Sequence, residues 1–252
     1  MYAVITGASS GIGREIARLL AAKKIDLILV ARRKERLEEL KTELSKQYGV
    51  DVVVNVKDLS VLENCYKLHE ETKEYPIEIF VNNAGFGKTG RFENIPLESE
   101  IEMLSLNIIG LHTLTKLYSK SMQKGIILNV GSMAAFLPTP LLATYAASKS
   151  YVVSFSQAVN YELKKQKKDL RLSVLCPGPV KTEFGQVAEA DNFGLPGISA
   201  EYCAKVAVNG MFKRKPVIIP GVQMKLMRFA LRFIPTGLIL KVSYKIQTKK
   251  KN

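Results

Sequence analysis

"YAVITGASSGIGRE", residues 2–15, sets a run of strand-forming residues against a glycine turn and the start of a helix. Tyr2 to Thr6 is apolar and β-rich, Gly7, Gly11 and Gly13 follow as G-x-x-x-G-x-G, and a helical pattern runs over 12–23. Glycines let the chain leave a strand sharply and begin a helix whose first amides have no partner in the helix. Those amides, with the helix dipole, favour a phosphate at the strand end. A glycine turn alone is weak evidence, because turns are glycine-rich for structural reasons; its place between a strand and a helix gives it weight.

The same alternation continues along the chain. Apolar runs at 27–30, 51–56, 78–82, 125–132, 171–176 and 216–220 are separated by segments long enough for crossover helices, at 33–48, 60–74, 97–122 and 144–168. Strands that are continuously apolar, rather than alternating, belong to a parallel sheet covered on both faces. Right-handed crossovers then give an α/β fold: a doubly wound parallel sheet of about seven strands with helices on both faces, binding ligands at the carboxyl ends of the strands. Residues 183–197 carry three glycines and a proline with weak periodicity, which reads as a loop. The expected organisation is one doubly wound domain over 1–220 and a C-terminal extension over 221–252.

Composition narrows the class. With 47% hydrophobic and 24% charged residues over 252 positions the chain is of ordinary globular type. Cys65, Cys176 and Cys203 form no C-x-x-C pair, and His69 and His112 are the two imidazoles, which argues against a disulfide framework or a Cys/His metal site and fits a reducing cytoplasm. No window reaches the about 18 uncharged apolar residues that a membrane-spanning helix needs, and no signal pattern is seen; a cytoplasmic protein, at most peripheral to a membrane, is expected. The net charge of +14 is uneven: twelve Lys/Arg and no Asp/Glu fall after position 201, leaving 25 basic against 23 acidic residues before it. No nucleic-acid motif accompanies this charge, and a nucleic-acid partner is not expected.

The end of the second strand bears on the ligand. An acidic residue there binds a ribose 2′-hydroxyl, whereas arginine accommodates a 2′-phosphate. "LILVARRKER" has Ala31 where the carboxylate would stand, followed by Arg32 and Arg33, which favours NADP(H). The plain alternative is that these arginines begin a solvated helix face, as Lys34, Glu35 and Arg36 do. Asp58, near the end of the third strand, could hydrogen-bond an adenine amino group. "NNAG", Asn82 to Gly85, ends the fourth strand in a turn that permits close backbone approach, although both asparagines also suit a plain turn.

Taken together these residues resemble the short-chain dehydrogenase/reductase family. The resemblance is carried by T-G-x-x-x-G-I-G at Thr6 to Gly13, N-N-A-G at Asn82 to Gly85, Asn107, Ser132, Y-x-x-x-K at Tyr145 and Lys149, and "PGPVKT" at Pro177 to Thr182. The motifs occur in the family's order, with thirteen positions from Ser132 to Tyr145, and span roughly the first 185 residues. What the resemblance implies is a Rossmann-type oxidoreductase domain over 1–220, with residues 183–199 as its substrate lid, and reversible hydride transfer between NADP(H) and a carbonyl or secondary alcohol. Gly7, Ser9, Ser10, Gly11, Ile12 and Gly13 would hold the cofactor with Arg32, Arg33 and Asp58. Asn83, Ala84 and Gly85, and then Pro177, Gly178, Val180 and Thr182, would complete its site, the last two contacting the nicotinamide carboxamide so that the pro-S hydride is used.

The implied catalytic set is Asn107, Ser132, Tyr145 and Lys149. Tyr145 would act as general acid in reduction and base in oxidation. Lys149, one helical turn on, would lower the phenol's pKa and bind the nicotinamide ribose. Ser132 would bind the substrate oxygen, and Asn107 would hold a water linking Lys149 to solvent. Singly, each has a bland reading: a surface Tyr/Lys pair, a turn cap, a packed asparagine. Tyr151 and Tyr161 have no lysine four residues later, and His69 and His112 read as structural.

Substrate and partners are less determined. "MAAFLPTPLLA" (133–143) with Phe184, Val187, Phe193 and Leu195 would line an apolar cleft for a lipophilic substrate such as a ketosteroid or a 3-oxoacyl thioester. Across residues 222–234, Lys225, Arg228 and Arg232 form a basic stripe opposite Val222, Leu226, Phe229, Ala230 and Phe233. That apolar side could pack on the domain or on a sister subunit of a homodimer or homotetramer. It could also lie in a membrane surface, with "TKKKN" adding charge. A non-catalytic dinucleotide-binding regulator is the competing function, and the complete catalytic set argues against it.

Overall fold

The computed structural model describes residues 1–188 and 197–248. The expected strands form, with bounds moved by a few residues at most sites. β1 (Tyr2–Thr6), β2 (Asp26–Ala31), β3 (Val52–Val56), β4 (Ile77–Asn82), β5 (Lys124–Val130) and β6 (Asp169–Leu175) are followed by the two-residue strands β7 (Val180–Lys181), β8 (Ile198–Ser199) and β9 (Val217–Ile218). Seven of them make one parallel sheet in the order β3-β2-β1-β4-β5-β6-β9, while β7 and β8 pair separately. The order reverses between β1 and β4, so a crevice opens there at the carboxyl ends. The glycine turn and "NNAG" are the two segments that leave those strands.

The continuous apolar strands are buried on both faces. Ala3, Ile5, Leu27, Leu29 and Val81 pack beneath α1 (Gly11–Ala21), α2 (Lys34–Tyr48) and the helix that will be called α8 (Ala200–Phe212). Their neighbours Val4, Ile28, Val30 and Phe80 point the other way. They meet α3 (Leu62–Thr72), α5 (Leu111–Ser121) and α6 (Ala143–Lys165). The helix expected over 97–122 is three pieces: α4 (Leu97–Leu104), a widened π-helical segment Ser105–Gly110, and α5. A Cβ on Gly110 would stand 2.5 Å from the Leu59 carbonyl oxygen, so this turn is set by the backbone packed against it. The loop expected over 183–197 includes a short helix, α7 (Phe184–Val187), and the C-terminal extension forms α9 (Val222–Ala230) and α10 (Thr236–Thr248).

A chain of buried polar groups runs beneath the strand ends. Asn82 Nδ2 donates to the Leu111 carbonyl at 3.0 Å and to Thr115 Oγ1 at 3.3 Å. Thr115 Oγ1 donates to Asn129 Oδ1 at 3.2 Å, and Asn129 Nδ2 donates to Ser156 Oγ at 3.0 Å. All four side chains are buried, so each bond replaces one to water, and an interrupted chain leaves an unmet donor or acceptor. Thr115→Val keeps the shape and removes the shared hydroxyl; chemical denaturation should show a loss of about 1–3 kcal/mol.

Candidate active site

Thr6 and Asn83 brace the glycine turn. Thr6 Oγ1 accepts from the Asn83 and Ala84 amides at 2.9 and 3.0 Å, and Asn83 Nδ2 donates to the carbonyls of Thr6 at 3.0 Å and Gly7 at 3.2 Å. Gly7 has φ +66°, and a Cβ on Gly13 would stand 2.5 Å from both the Gly7 carbonyl oxygen and Asn83 Nδ2, so neither position accepts a side chain unstrained. Of the two asparagines left open by the sequence, Asn83 thus holds the turn and Asn82 belongs to the buried polar chain. α1 begins at Gly11, and Gly11 and Ile12, whose amides have no partner within the helix, line the crevice.

The two arginines after β2 diverge. Arg32 Nη1 faces Glu102 at 3.1 Å and Asp58 at 3.6 Å, while Arg33 turns to the glycine turn. Arg33 Nε and Nη2 donate to Ser9 Oγ at 3.2 and 3.0 Å, Nη2 donates to Ser10 Oγ at 2.8 Å, and Nη1 donates to Glu183 at 2.7 Å. Arg36, assigned from sequence to a solvated helix face, also pairs with Glu183. Neither Arg36 nor Glu183 was singled out as a site residue, and contacts across 147 and 150 positions leave no local pattern to find them by.

At the other end of the crevice Ser132, just past β5, accepts from the Ala134 amide at 3.1 Å and lines the cavity with Tyr145. Tyr145 and Lys149 are buried on one face of α6, with Lys149 Nζ 5.8 Å from the Tyr145 ring centroid and donating to the Val130 carbonyl at 2.9 Å. Burial pushes the Tyr145 hydroxyl up to about 12 against the opposing pull of Ser132, and burial brings the Lys149 ammonium down to about 8. For the phenol, desolvation thus outweighs the pull of Ser132. Asn107, fully buried in the π-helical segment, donates to the Phe86 carbonyl at 2.9 Å and to Ser148 Oγ at 3.2 Å, and accepts from the Phe86 amide. It stands behind Gly85, where a Cβ would meet Asn107 Oδ1 at 2.8 Å and Lys149 Nζ at 3.3 Å.

One cavity of about 670 Å³ joins both ends. Every residue singled out for cofactor or catalysis lines it except Gly13, packed within the turn, and Asn107, packed behind Gly85. Its far wall is one the sequence did not reveal: Met224 and Met227 from α9, Leu231 just after it, and Leu238, Val242 and Ile246 from α10. The inward face of α9 is thus the methionine face, and Val222, Leu226, Phe229 and Phe233 are exposed, so of the three fates expected for that side, packing on its own domain is the one the structure contradicts. Gly178 is the physical reason, since a Cβ there would stand 2.5 Å from Met224 Sδ and bare backbone admits that side chain. The basic stripe is not wholly in solvent either, as Arg228 lies 4.8 Å from the Phe136 ring centroid. Phe184 and Val187 line the cavity as expected; Phe193 and Leu195 lie outside the described residues.

The remaining candidates are placed elsewhere. His69 pairs with Ser121 at 3.1 Å and His112 with the Tyr151 hydroxyl at 2.7 Å, both away from the cavity. The three cysteines are buried and free, and the described residues contain no cluster suited to a metal ion and no helix long and apolar enough to cross a membrane.

Comparison with known proteins agrees with this geometry. The sequence profile of short chain dehydrogenases matches residues 1–192. A very-long-chain 3-oxoacyl-CoA reductase from Anas platyrhynchos is 30% identical over 252 residues, covering 97% of this chain and 79% of that protein. Hydroxysteroid dehydrogenase-like protein 1 from Gallus gallus is 34% identical over 226 residues, covering 85% and 67% respectively. Among solved structures, a short-chain dehydrogenase from Sphingobium yanoikuyae in complex with NADPH superposes with a TM-score of 0.83 at 30% identity, covering 94% of each chain. One from Burkholderia phymatum in complex with NAD shares the fold, with a TM-score of 0.82 at 22% identity, 90% of this chain and 91% of that one. The bare glycine turn at Gly7 and Gly11, the serines beside it and the buried Tyr145 and Lys149, all lining one cavity, fit a nicotinamide dinucleotide. The chain belongs to the short-chain dehydrogenase/reductase family, and is an oxidoreductase of carbonyl and CH–OH groups that uses a nicotinamide dinucleotide.

Proposed function

We propose that the protein is an NADP(H)-dependent reductase and dehydrogenase of a lipophilic substrate, of the ketosteroid or 3-oxoacyl thioester type. The observation that carries this reading is the continuous cavity in which Ser132, Tyr145 and Lys149 stand between a serine- and arginine-lined end and a wall of apolar side chains. NADP(H), when bound, supplies or takes up the hydride. Arg33, steadied by the Ser9 and Ser10 hydroxyls, binds the 2′-phosphate, and Ala31 offers no carboxylate to a 2′-hydroxyl. Val180 and Thr182 hold the carboxamide. The names of the duck and chicken relatives, an acyl-CoA reductase and a hydroxysteroid dehydrogenase-like protein, support a lipophilic substrate.

Each catalytic group then has a task set by its surroundings. Ser132 Oγ holds the substrate oxygen beside the Tyr145 hydroxyl and stabilises charge that develops on it. Tyr145 gives that oxygen a proton in reduction and takes one in oxidation. The Lys149 ammonium favours the tyrosinate left behind. Asn107, beside Lys149 across Gly85, connects the pair to solvent through a water.

The C-terminal helices extend the proposal to a peripheral membrane contact at the cytoplasmic side. Val222, Leu226, Phe229, Phe233 and Leu238 are exposed on α9, α10 and their connection, Phe233 by 72%, among Lys225, Arg232, Lys241 and Lys245 with no acidic residue in the extension. Apolar side chains ringed by cations suit an anionic lipid surface.

Consumption of NADPH, and less of NADH, should appear with some member of a panel of ketosteroids, 3-oxoacyl thioesters and bulky ketones; a preference for NADH would overturn the role of Arg33. Tyr145→Phe should lower kcat by about 10²–10⁴-fold with cofactor affinity kept. Reduction needs the phenol protonated, which holds to about 12, and the ammonium charged, which holds to about 8. The kcat of reduction should therefore fall as pH rises above 8, and a profile still climbing at about pH 9 contradicts the part given to Lys149. In co-sedimentation with anionic liposomes the full chain should bind more than Phe229→Glu/Phe233→Glu, and equal binding removes the membrane contact.

A further inference from the structure

The anion seat between α1 and α2 already holds an anion, the chain's own Glu183. Its carboxylate accepts from Arg33 Nη1 at 2.7 Å and from Arg36, while the other donors of Arg33 are taken by Ser9 and Ser10. Both guanidinium groups and the carboxylate are partly exposed, and the two pairs hold Glu183 well in its ionised range through the Arg33 hydrogen bond first and Arg36 second. A phosphate approaching Arg33 meets a site where one of the two positive charges has been neutralised from within.

The neighbours of Glu183 reach both halves of the cavity. Thr182 packs against Gly11 of the glycine turn, where a Cβ would stand 3.1 Å from Thr182 Cγ2. Phe184 donates its amide to Thr182 Oγ1 at 3.2 Å, and its ring lies 5.4 Å from the Tyr145 ring. Three consecutive residues thus touch the phosphate turn, the arginine pair and the catalytic tyrosine.

We propose that Glu183 is a specificity-determining residue: it occupies the seat of the cofactor's 2′-phosphate, competes with it for Arg33 and Arg36, and links occupancy of that seat to the position of Phe184 over Tyr145. This rests on the NADP(H) reading above. A cofactor without the phosphate leaves the Glu183 pairs in place, whereas one with it must displace them. Glu183 therefore narrows the preference for NADP(H) over NAD(H). Two partly exposed ion pairs hold weakly, so the phosphate still wins, at the cost of part of its affinity.

The test uses 2′,5′-ADP and 5′-AMP as probes, titrated by calorimetry into the full chain and into Glu183→Gln. The variant should bind 2′,5′-ADP about three- to tenfold more tightly, with 5′-AMP unchanged. The chain has no tryptophan, so Phe184→Trp provides a sole reporter beside Tyr145. Its emission should shift with 2′,5′-ADP, not with 5′-AMP, and the shift should be lost when Glu183→Gln is added. If both proteins prefer 2′,5′-ADP by the same factor, the role of Glu183 is overturned and the cofactor reading stands. If neither distinguishes the two probes, the cofactor reading itself fails and takes this inference with it.

Discussion

The buried hydrogen-bond chain Asn82–Thr115–Asn129–Ser156 fixes how two helices sit on the sheet, and the catalytic groups inherit their positions from it. In an apolar interior these amides and hydroxyls have no water to turn to, so only one rotation of α5 and α6 satisfies them. Ser156 lies seven residues after Lys149 and eleven after Tyr145, so all three share one face of α6. The Leu111 carbonyl that receives Asn82 lies four residues after Asn107, and Asn129 three before Ser132. Packing alone would tolerate small rotations of these helices; directional polar bonds in the core do not.

Much of this could be read from the chain because local pattern and tertiary role coincide. Continuous apolar strands signal a sheet buried on both faces, and the glycine turn and Y-x-x-x-K are short patterns whose order and spacing along the chain carry the resemblance. Where the two separate, the reading fails. The amphipathic pattern of 222–234 offers Val222, Leu226, Phe229 and Phe233 to the domain, to a sister subunit or to a membrane, because amphipathicity marks an apolar side without saying what faces it. In the structure Gly178, over forty residues earlier, selects Met224 instead. Likewise Arg36 looks like any solvated helix residue until Glu183 is brought to it.

Electrostatics separates the two ends of the cavity. At the turn, cations and carboxylates are half in water and neutralise one another cheaply, so exchange of partners there is easy. At Tyr145 and Lys149 the same kinds of groups are out of water, and burial moves them in opposite directions, the phenol toward holding its proton and the ammonium toward losing it. The shallow end suits recognition, the deep end proton handling.

The seating of Met224 on bare backbone at Gly178 bears on what the cavity can admit. Met224 and Met227 are unbranched thioethers with several rotatable bonds, a wall that changes contour by rotamer rather than by moving a helix. Opposite them Ser132 is tied to the Ala134 amide and Tyr145 is held by burial. The reacting carbon must therefore dock to a fixed template, while the body attached to it meets an elastic boundary, so discrimination is stringent at the functional group and lax in the shape of the hydrocarbon that carries it.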